Sequence, residues 1–410
     1  MPQGDRSDRP ARSRRWAFVG RLRPRALGWR SARAASERVR AAVLEIQAAA
    51  REDPLEAAEG AVRLIERLEP ALENVAGSRA LGAAVRRALA ELIPLIQAAP
   101  ADVRTRSAWL ARLWEAYCAS YLDLLEPLGE RWGELCAEPE LASQYADLLV
   151  PLLAEHLDAE SDDSLALEHV AEPCLSALLA ADRPRAVLSL LARAPRTAWH
   201  LRRHGVRALL ALSDPDAAVD YAESSRSARF PEHDEAIDRT CESILLAAGR
   251  TSDAWHRYAL PLARRHPGLA TFRRLAATYA GDERALLIDL IAAAPSAGWF
   301  STASHLGHLD LALELAQRVP CDLRAVARSG RDHLATHPHV SLALALASLR
   351  WLASGYGPSV TPLDIQRTHS LALSAARRLA LLPPVRAEIR SIVASASDGG
   401  FVRESLRRRG

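Results

Sequence analysis

The chain of 410 residues contains no lysine; all 53 of its basic residues are arginine. That absence removes Schiff-base catalysis and the phosphate-binding loop that ends in lysine. Arginine stays charged and grips carboxylates through a planar fork, so surface ion pairs survive the replacement. Two readings of the missing lysine stand side by side: high-GC codon usage, and avoidance of lysine-directed tagging. Aromatic residues make up only 5% of the chain. Alternating β-branched runs are almost absent, while Ala and Leu dominate, which favours helix over strand. No window of 18 apolar residues occurs, so no membrane span is expected. The five cysteines, Cys118, Cys136, Cys174, Cys241 and Cys321, are far apart and form no CxxC or CxC pair. A zinc knuckle is therefore unsupported, and the scattered odd number suits a reducing cytoplasm. Most of these thiols are expected to be buried as small apolar residues.

The net charge of +3 is unevenly spread. Residues 1–40 carry 12 arginines against Asp5, Asp8 and Glu37. Arg403 and Arg407–Arg409 make the end of the chain basic, and the body between is acidic. Ser13-Arg14-Arg15-Trp16-Ala17-Phe18 looks like a twin-arginine export signal, but Arg21, Arg23, Arg25 and Arg30 interrupt the apolar stretch such a signal needs. The first 30 residues read as a disordered basic tail. Trp16, Phe18, Leu22, Leu27 and Trp29 interleave with its arginines in a way that also suits an acidic surface, RNA or an anionic membrane.

The body reads as helix after helix. Ser36, Asp53-Pro54, Asp102, Ser213-Asp214-Pro215, Asp322 and Thr361-Pro362 are helix starts. Pro70 and Pro195 are read as ends, Pro173 and Pro184 as early helical positions, and Pro94 as a kink or split. Tyr145, Leu148, Leu149 and Leu152 are expected to face inward. Ser107–Cys136 is the most aromatic stretch, with Trp109, Trp114, Tyr117, Tyr121 and Trp132. Core packing and a peptide-binding aromatic face are its two readings. Asp158, Glu160, Asp162 and Asp163 make an acidic connector that lacks the glycine and closing glutamate of a calcium loop.

Between Ser243 and Pro320 a pattern recurs: glycine, an apolar helix with an early alanine, then a proline. Its copies run from Gly249 through Ala254 to Pro267, from Gly281 through Ala285 to Pro295, and from Gly307 through Ala312 to Pro320. Glycine supplies a left-handed helix stop and alanine lets helices approach closely. This is the grammar of a helical-hairpin repeat. The fold class is all-α: an irregular tetratricopeptide-like solenoid with an N-terminal helical bundle. The expected segments are a basic tail (1–30), the bundle (31–100), an aromatic-rich segment (101–160), the repeat array (161–396) and a basic tail (397–410).

Several short runs carry a family resemblance. They include Arg131-Trp132-Gly133-Glu134-Leu135-Cys136, Ala254-Trp255-His256-Arg257-Tyr258-Ala259, Ala270-Thr271-Phe272-Arg273, Gly298-Trp299-Phe300, Pro320-Cys321-Asp322 and Leu349-Arg350-Trp351-Leu352. Over residues 105–395 the chain resembles a bacterial helical family of unknown function, some members of which are associated with SWIM zinc-finger proteins. The resemblance implies a tetratricopeptide-like array and brings no catalytic residue. The zinc-finger spacing itself is absent from this chain.

No nucleophile elbow or paired-carboxylate motif can be named, so a non-enzymatic binding scaffold is expected, with no cofactor. If the first helix of each hairpin lines a groove, Arg257, Tyr258, Arg273, Arg274 and His305 are the candidates for gripping a peptide or protein partner. A second reading is a nucleic-acid-associated protein using its arginine-rich termini. A third is a metal or enzyme site at the late histidines. There His305/His308 and His333/His337 have the spacing of one helix face.

Overall fold

The computed structural model describes residues 14–23, 32–73, 75, 79–120, 122, 124–158, 164–193, 198–228, 230–279, 281–356 and 361–395. Leu27, Trp29, Tyr121, Pro195, the acids Glu160, Asp162 and Asp163, and the C-terminal arginines lie outside them. Every element among the described residues is helical, so the protein is all-α. None of these helices is long and apolar enough to cross a membrane. The chain divides into two compact units, residues 1–233 and 234–410. That division falls inside the stretch expected to be one continuous array.

The N-terminal unit contains α1 (Phe18–Arg21), α2 (Ala32–Ala50), α3 (Pro54–Leu72), α4 (Arg79–Ala98), α5 (Val103–Cys118), α6 (Glu126–Glu130), α7 (Trp132–Cys136) and α8 (Pro139–Asp158). It continues with α9 (Ser164–Ala180), α10 (Pro184–Arg193), α11 (Trp199–Ala211) and α12 (Pro215–Ser224). Local chemistry sets many of the starts. The carboxylates of Asp53, Asp102 and Asp214 accept from backbone N–H groups of their first turns, and Pro54 and Pro215 open their helices. Ser36 is a different case. Its helix begins at Ala32, and the Ser36 hydroxyl bonds back to the Ala32 carbonyl at 2.9 Å.

Pro70 and Pro173 behave otherwise than their local chemistry suggests, and Pro94 does not split its helix. Pro70, Pro94 and Pro173 all lie inside continuous helices. Each removes one backbone bond, but Leu68, Ala71 and Leu72 around Pro70, and Leu92, Ile93 and Ile96 around Pro94, are buried and hold the helix in place. A single apolar core joins the helices from Trp16 to Ala208, across the boundary expected at residue 100. Trp109, Tyr117 and Trp132 belong to this core, with Trp114 and Tyr145 packed against it, so the aromatic stretch is core. Leu149 is buried as expected, but Leu148 (59%) and Leu152 (42%) face solvent.

The expected disordered tail (1–30) is also corrected over its described residues, 14–23. Trp16, Phe18 and Leu22 are buried in the N-terminal core. Trp16 lies over Gly60 of α3, where an added Cβ would overlap the indole. The backbone N–H groups of Ala17 and Phe18 donate to Glu45 of α2 at 2.7 and 3.2 Å.

The C-terminal unit starts with α13 (Asp234–Ala247), then α14 (Thr251–Ala254), a π-helical turn (Trp255–Ala259) and α15 (Leu260–Arg265). Pro261 explains the π turn. It has no N–H for the Arg257 carbonyl, and the Leu260 N–H reaches back to Trp255 instead. The unit continues with α16 (Leu269–Thr278), α17 (Glu283–Ala293), α18 (Ala297–His305), α19 (Leu309–Arg318), α20 (Leu323–Asp332), α21 (Pro338–Ala353), α22 (Pro362–Arg378) and α23 (Leu382–Ala394). Helices stop shortly before Pro267, Pro295 and Pro320, as the recurring pattern implies. Gly249 and Gly307 adopt φ of 74° and 81°, the left-handed stop.

Candidate functional site

The best-formed site in the C-terminal unit lies between α20 and α22. The sequence of α20, Leu-Arg-Ala-Val-Ala-Arg-Ser-Gly-Arg-Asp, sorts itself by helical period. Leu323, Val326, Ala327 and Gly330 are buried, and Arg324, Arg328 and Arg331 lie on the exposed flank beside them. At 1.5 Å per residue these three arginines span about 10 Å along the axis. Asp322 caps the helix through the Arg324 N–H. The facing helix α22 begins with a capping box: Thr361 accepts from the Asp364 N–H, and the Asp364 carboxylate accepts from Thr361. This fixes the first turn that presents Leu363, Asp364 and Arg367.

Together the two helices enclose a cleft of about 420 Å³ lined by Leu323, Arg324, Ala327, Arg328, Arg331, Thr361, Leu363, Asp364 and Arg367. Four guanidinium groups face one carboxylate. Asp364 is already occupied: hydrogen bonds from Thr361, with Arg324 nearby, hold it below its usual carboxylate range. Arg324 reaches it only at 3.6 Å. The side chains of Arg328, Arg331 and Arg367 have no hydrogen bond or ion pair among the described residues, and all three are exposed. Leu363, half exposed at 52%, adds an apolar wall. Residues 322–395 hold nine arginines against Asp322, Asp332, Asp364 and Glu388, so the surroundings do not neutralise the cleft. Such an arrangement takes an anion, through charge-assisted and often bidentate hydrogen bonds.

The residues expected to form a groove are placed elsewhere in the same unit. Tyr258 is in the core at 2% exposure, because the π turn rotates it inward beneath Arg257, whose guanidinium sits 5.2 Å from its ring. Arg274 is committed to structure. It makes two 3.0 Å bonds to the buried Glu242, which also accepts from the Tyr279 hydroxyl at 2.9 Å. Arg273 and His305 are exposed and do come together across α16 and α18, at 3.4 Å. The five residues therefore do not line a common groove: two are packed or paired into the fold.

Neither histidine pair lies within one helix, although the His333 and His337 rings stand 6.1 Å apart. His305 ends α18 and His308 precedes α19, with the left-handed Gly307 between them. His333 follows the last residue of α20 and His337 precedes α21. Among the described residues no group of three or more His, Cys, Asp or Glu side chains is arranged to hold a metal ion. The arginine row at 324, 328 and 331 was visible as an i, i+4, i+7 spacing. Arg367, which makes the row into a cleft, comes from a separate helix and is placed only by the fold.

The chain matches no protein-family model, no curated protein and no solved structure.

Proposed function

We propose that the protein is a non-enzymatic binding scaffold whose C-terminal unit holds an acidic segment of a partner protein in the α20–α22 cleft. The observation that carries this reading is the convergence of Arg328, Arg331 and Arg367, none of them partnered among the described residues, on one cleft beside Arg324. A fold rarely leaves several arginines facing one hollow without carboxylates to meet them, because like charges repel. An extended acidic peptide carries side chains of one face about 7 Å apart, which a 10 Å arginine row can meet at two points. Leu323, Ala327 and Leu363 would receive an apolar side chain between them. The helices are read as a tetratricopeptide-like solenoid, in keeping with the resemblance over residues 105–395, and the protein as cytoplasmic.

Nucleic acid is the second reading, favoured by the excess of arginine across residues 322–395. It differs in being steeply salt-dependent and sequence-independent. Fluorescence anisotropy separates the two. A labelled acidic decapeptide and a labelled single-stranded RNA of equal charge are titrated with the full chain at physiological salt. The expected result is preference for the peptide, weakened at least tenfold by Arg328→Glu with Arg367→Glu. Arg390→Glu, outside the cleft, leaves it unchanged. Preference for RNA, weakened equally by all three substitutions, supports the second reading instead.

A further inference from the structure

The segment Arg14–Leu22 is built like a bound peptide. Trp16 fills a notch over Gly60, Phe18 packs beside it with ring centroids 5.6 Å apart, and Leu22 is fully buried. Carboxylates of the receiving helices hold its backbone and charge. Glu45 accepts from the N–H groups of Ala17 and Phe18, Glu56 accepts from the Arg14 N–H at 2.9 Å, and Glu52 pairs with the Arg14 guanidinium at 3.2 Å. Arg38 donates to the Arg21 carbonyl at 3.2 Å. The contacts follow a short Trp-x-Phe-x-x-x-Leu spacing, as linear motifs do when they enter a helical groove. The seat is also imperfect: Trp16 Nε1 is buried with no hydrogen-bond partner among the described residues.

We propose that the α2–α3 face is a docking groove whose resident ligand, the strap Arg14–Leu22, exchanges with the same strap of a second copy of this chain. The occupant is named by the structure itself, since the strap already fits the groove. A second copy offers the same three apolar anchors and the same basic flank to Glu45, Glu52 and Glu56. Exchange costs no contact; only the effective concentration of the covalently attached strap opposes it. The resident strap therefore dominates in dilute solution, and the exchanged form must be trapped to be seen.

The test uses full chains in which Cys118 and Cys321 are replaced by serine. One copy carries Arg14→Cys and the other Glu52→Cys, and they are mixed with a bismaleimide cross-linker that spans about the length of an ion-paired Arg and Glu. A covalent heterodimer is expected to accumulate over hours, and unmixed copies should give none. Adding Trp16→Ala to the Arg14→Cys copy should cut the yield at least tenfold. A chain carrying both cysteines should cross-link within itself. If that chain cross-links internally but the mixture yields no heterodimer, the strap is fixed and the proposal fails. It also fails if the doubly substituted chain does not cross-link, or if Trp16→Ala leaves the heterodimer yield unchanged.

Discussion

Two hollows of the same size, about 420 Å³ each, put arginine to opposite uses. The one in the N-terminal unit is lined by Glu66, Glu69, Pro70, Glu73, Arg112, Glu115, Ala116, Ala119 and Leu125. Its single arginine is saturated. Arg112 bonds both oxygens of Glu59 at 3.0 Å, and reaches Glu66 at 2.6 and 2.8 Å. Glu69 is likewise engaged, by the Ser120 hydroxyl and the Leu122 N–H. Burial would raise the Glu59 carboxyl, but hydrogen bonds from Arg63, Trp109 and Arg112 outweigh it and hold the group below its usual range. The hollow between α20 and α22 is lined by four arginines and one carboxylate, and three of the four have no partner among the described residues. In the first hollow charge is spent on joining helices; in the second, among the described residues, most of it is left available. Residue type alone does not distinguish a structural arginine from a binding one, but the presence or absence of a nearby carboxylate does.

The largest expected effect tests the structural half of that contrast. Glu172 of α9 is buried, accepts from His204 Nε2 at 2.7 Å and pairs with Arg203 at 3.2 Å. Removing it by Glu172→Ala leaves the buried His204 Nε2 without its acceptor, while Arg203 keeps Glu130 at 3.0 Å, and should cost about 1–3 kcal/mol in urea denaturation. A loss under about 1 kcal/mol would mean the pair is no more than a surface contact. Next in size, Gly60→Ala should destabilise by about 1–2 kcal/mol, because overlap with the Trp16 indole outweighs the helix-propensity gain. A gain in thermal stability would show that Trp16 does not occupy the notch.

Acid titration sharpens the same comparison. Burial raises the Glu172 carboxyl, but His204 and Arg203 more than reverse this and hold it below its ordinary value of 4.5. Glu59 is depressed as well. A carboxyl depressed in the folded state contributes stability above its unfolded pKa and loses it as pH falls through the folded one. Stability of the N-terminal unit should thus hold at neutral pH and fall below about pH 4.5. Circular dichroism against pH checks this, and Glu172→Ala should flatten the slope. The smallest expected effect is chemical. Burial pushes the thiols of Cys136 and Cys174 up to about 12, whereas Cys118 is exposed. A thiol reagent should therefore label Cys118 first and leave the other two unreacted until the protein unfolds.

Helix starts were the most legible feature, because a cap is a contact within three residues. Asp53, Asp102, Asp214, Asp322 and Thr361 all act where their local sequence places them. Features that depend on a distant partner were not legible. Trp16 among arginines reads as a tail until Gly60, 44 positions later, provides its notch. Pro94 reads as a kink or split, and buried neighbours keep its helix continuous. Arg274 reads as a surface ligand until Glu242 is found buried beside it. The arginine row of α20 was present as a spacing, but its meaning depends on Arg367 and on the carboxylates that are not there.

The most direct test is the affinity of an acidic decapeptide for the full chain, measured by anisotropy before and after Arg328→Glu with Arg367→Glu. Charge reversal at two unpartnered, exposed arginines should leave urea stability within about 0.5 kcal/mol. Binding is expected to fall at least tenfold, with Arg390→Glu behaving as the unaltered protein. Unchanged affinity in the doubly substituted chain, or an equal loss in Arg390→Glu, would contradict it.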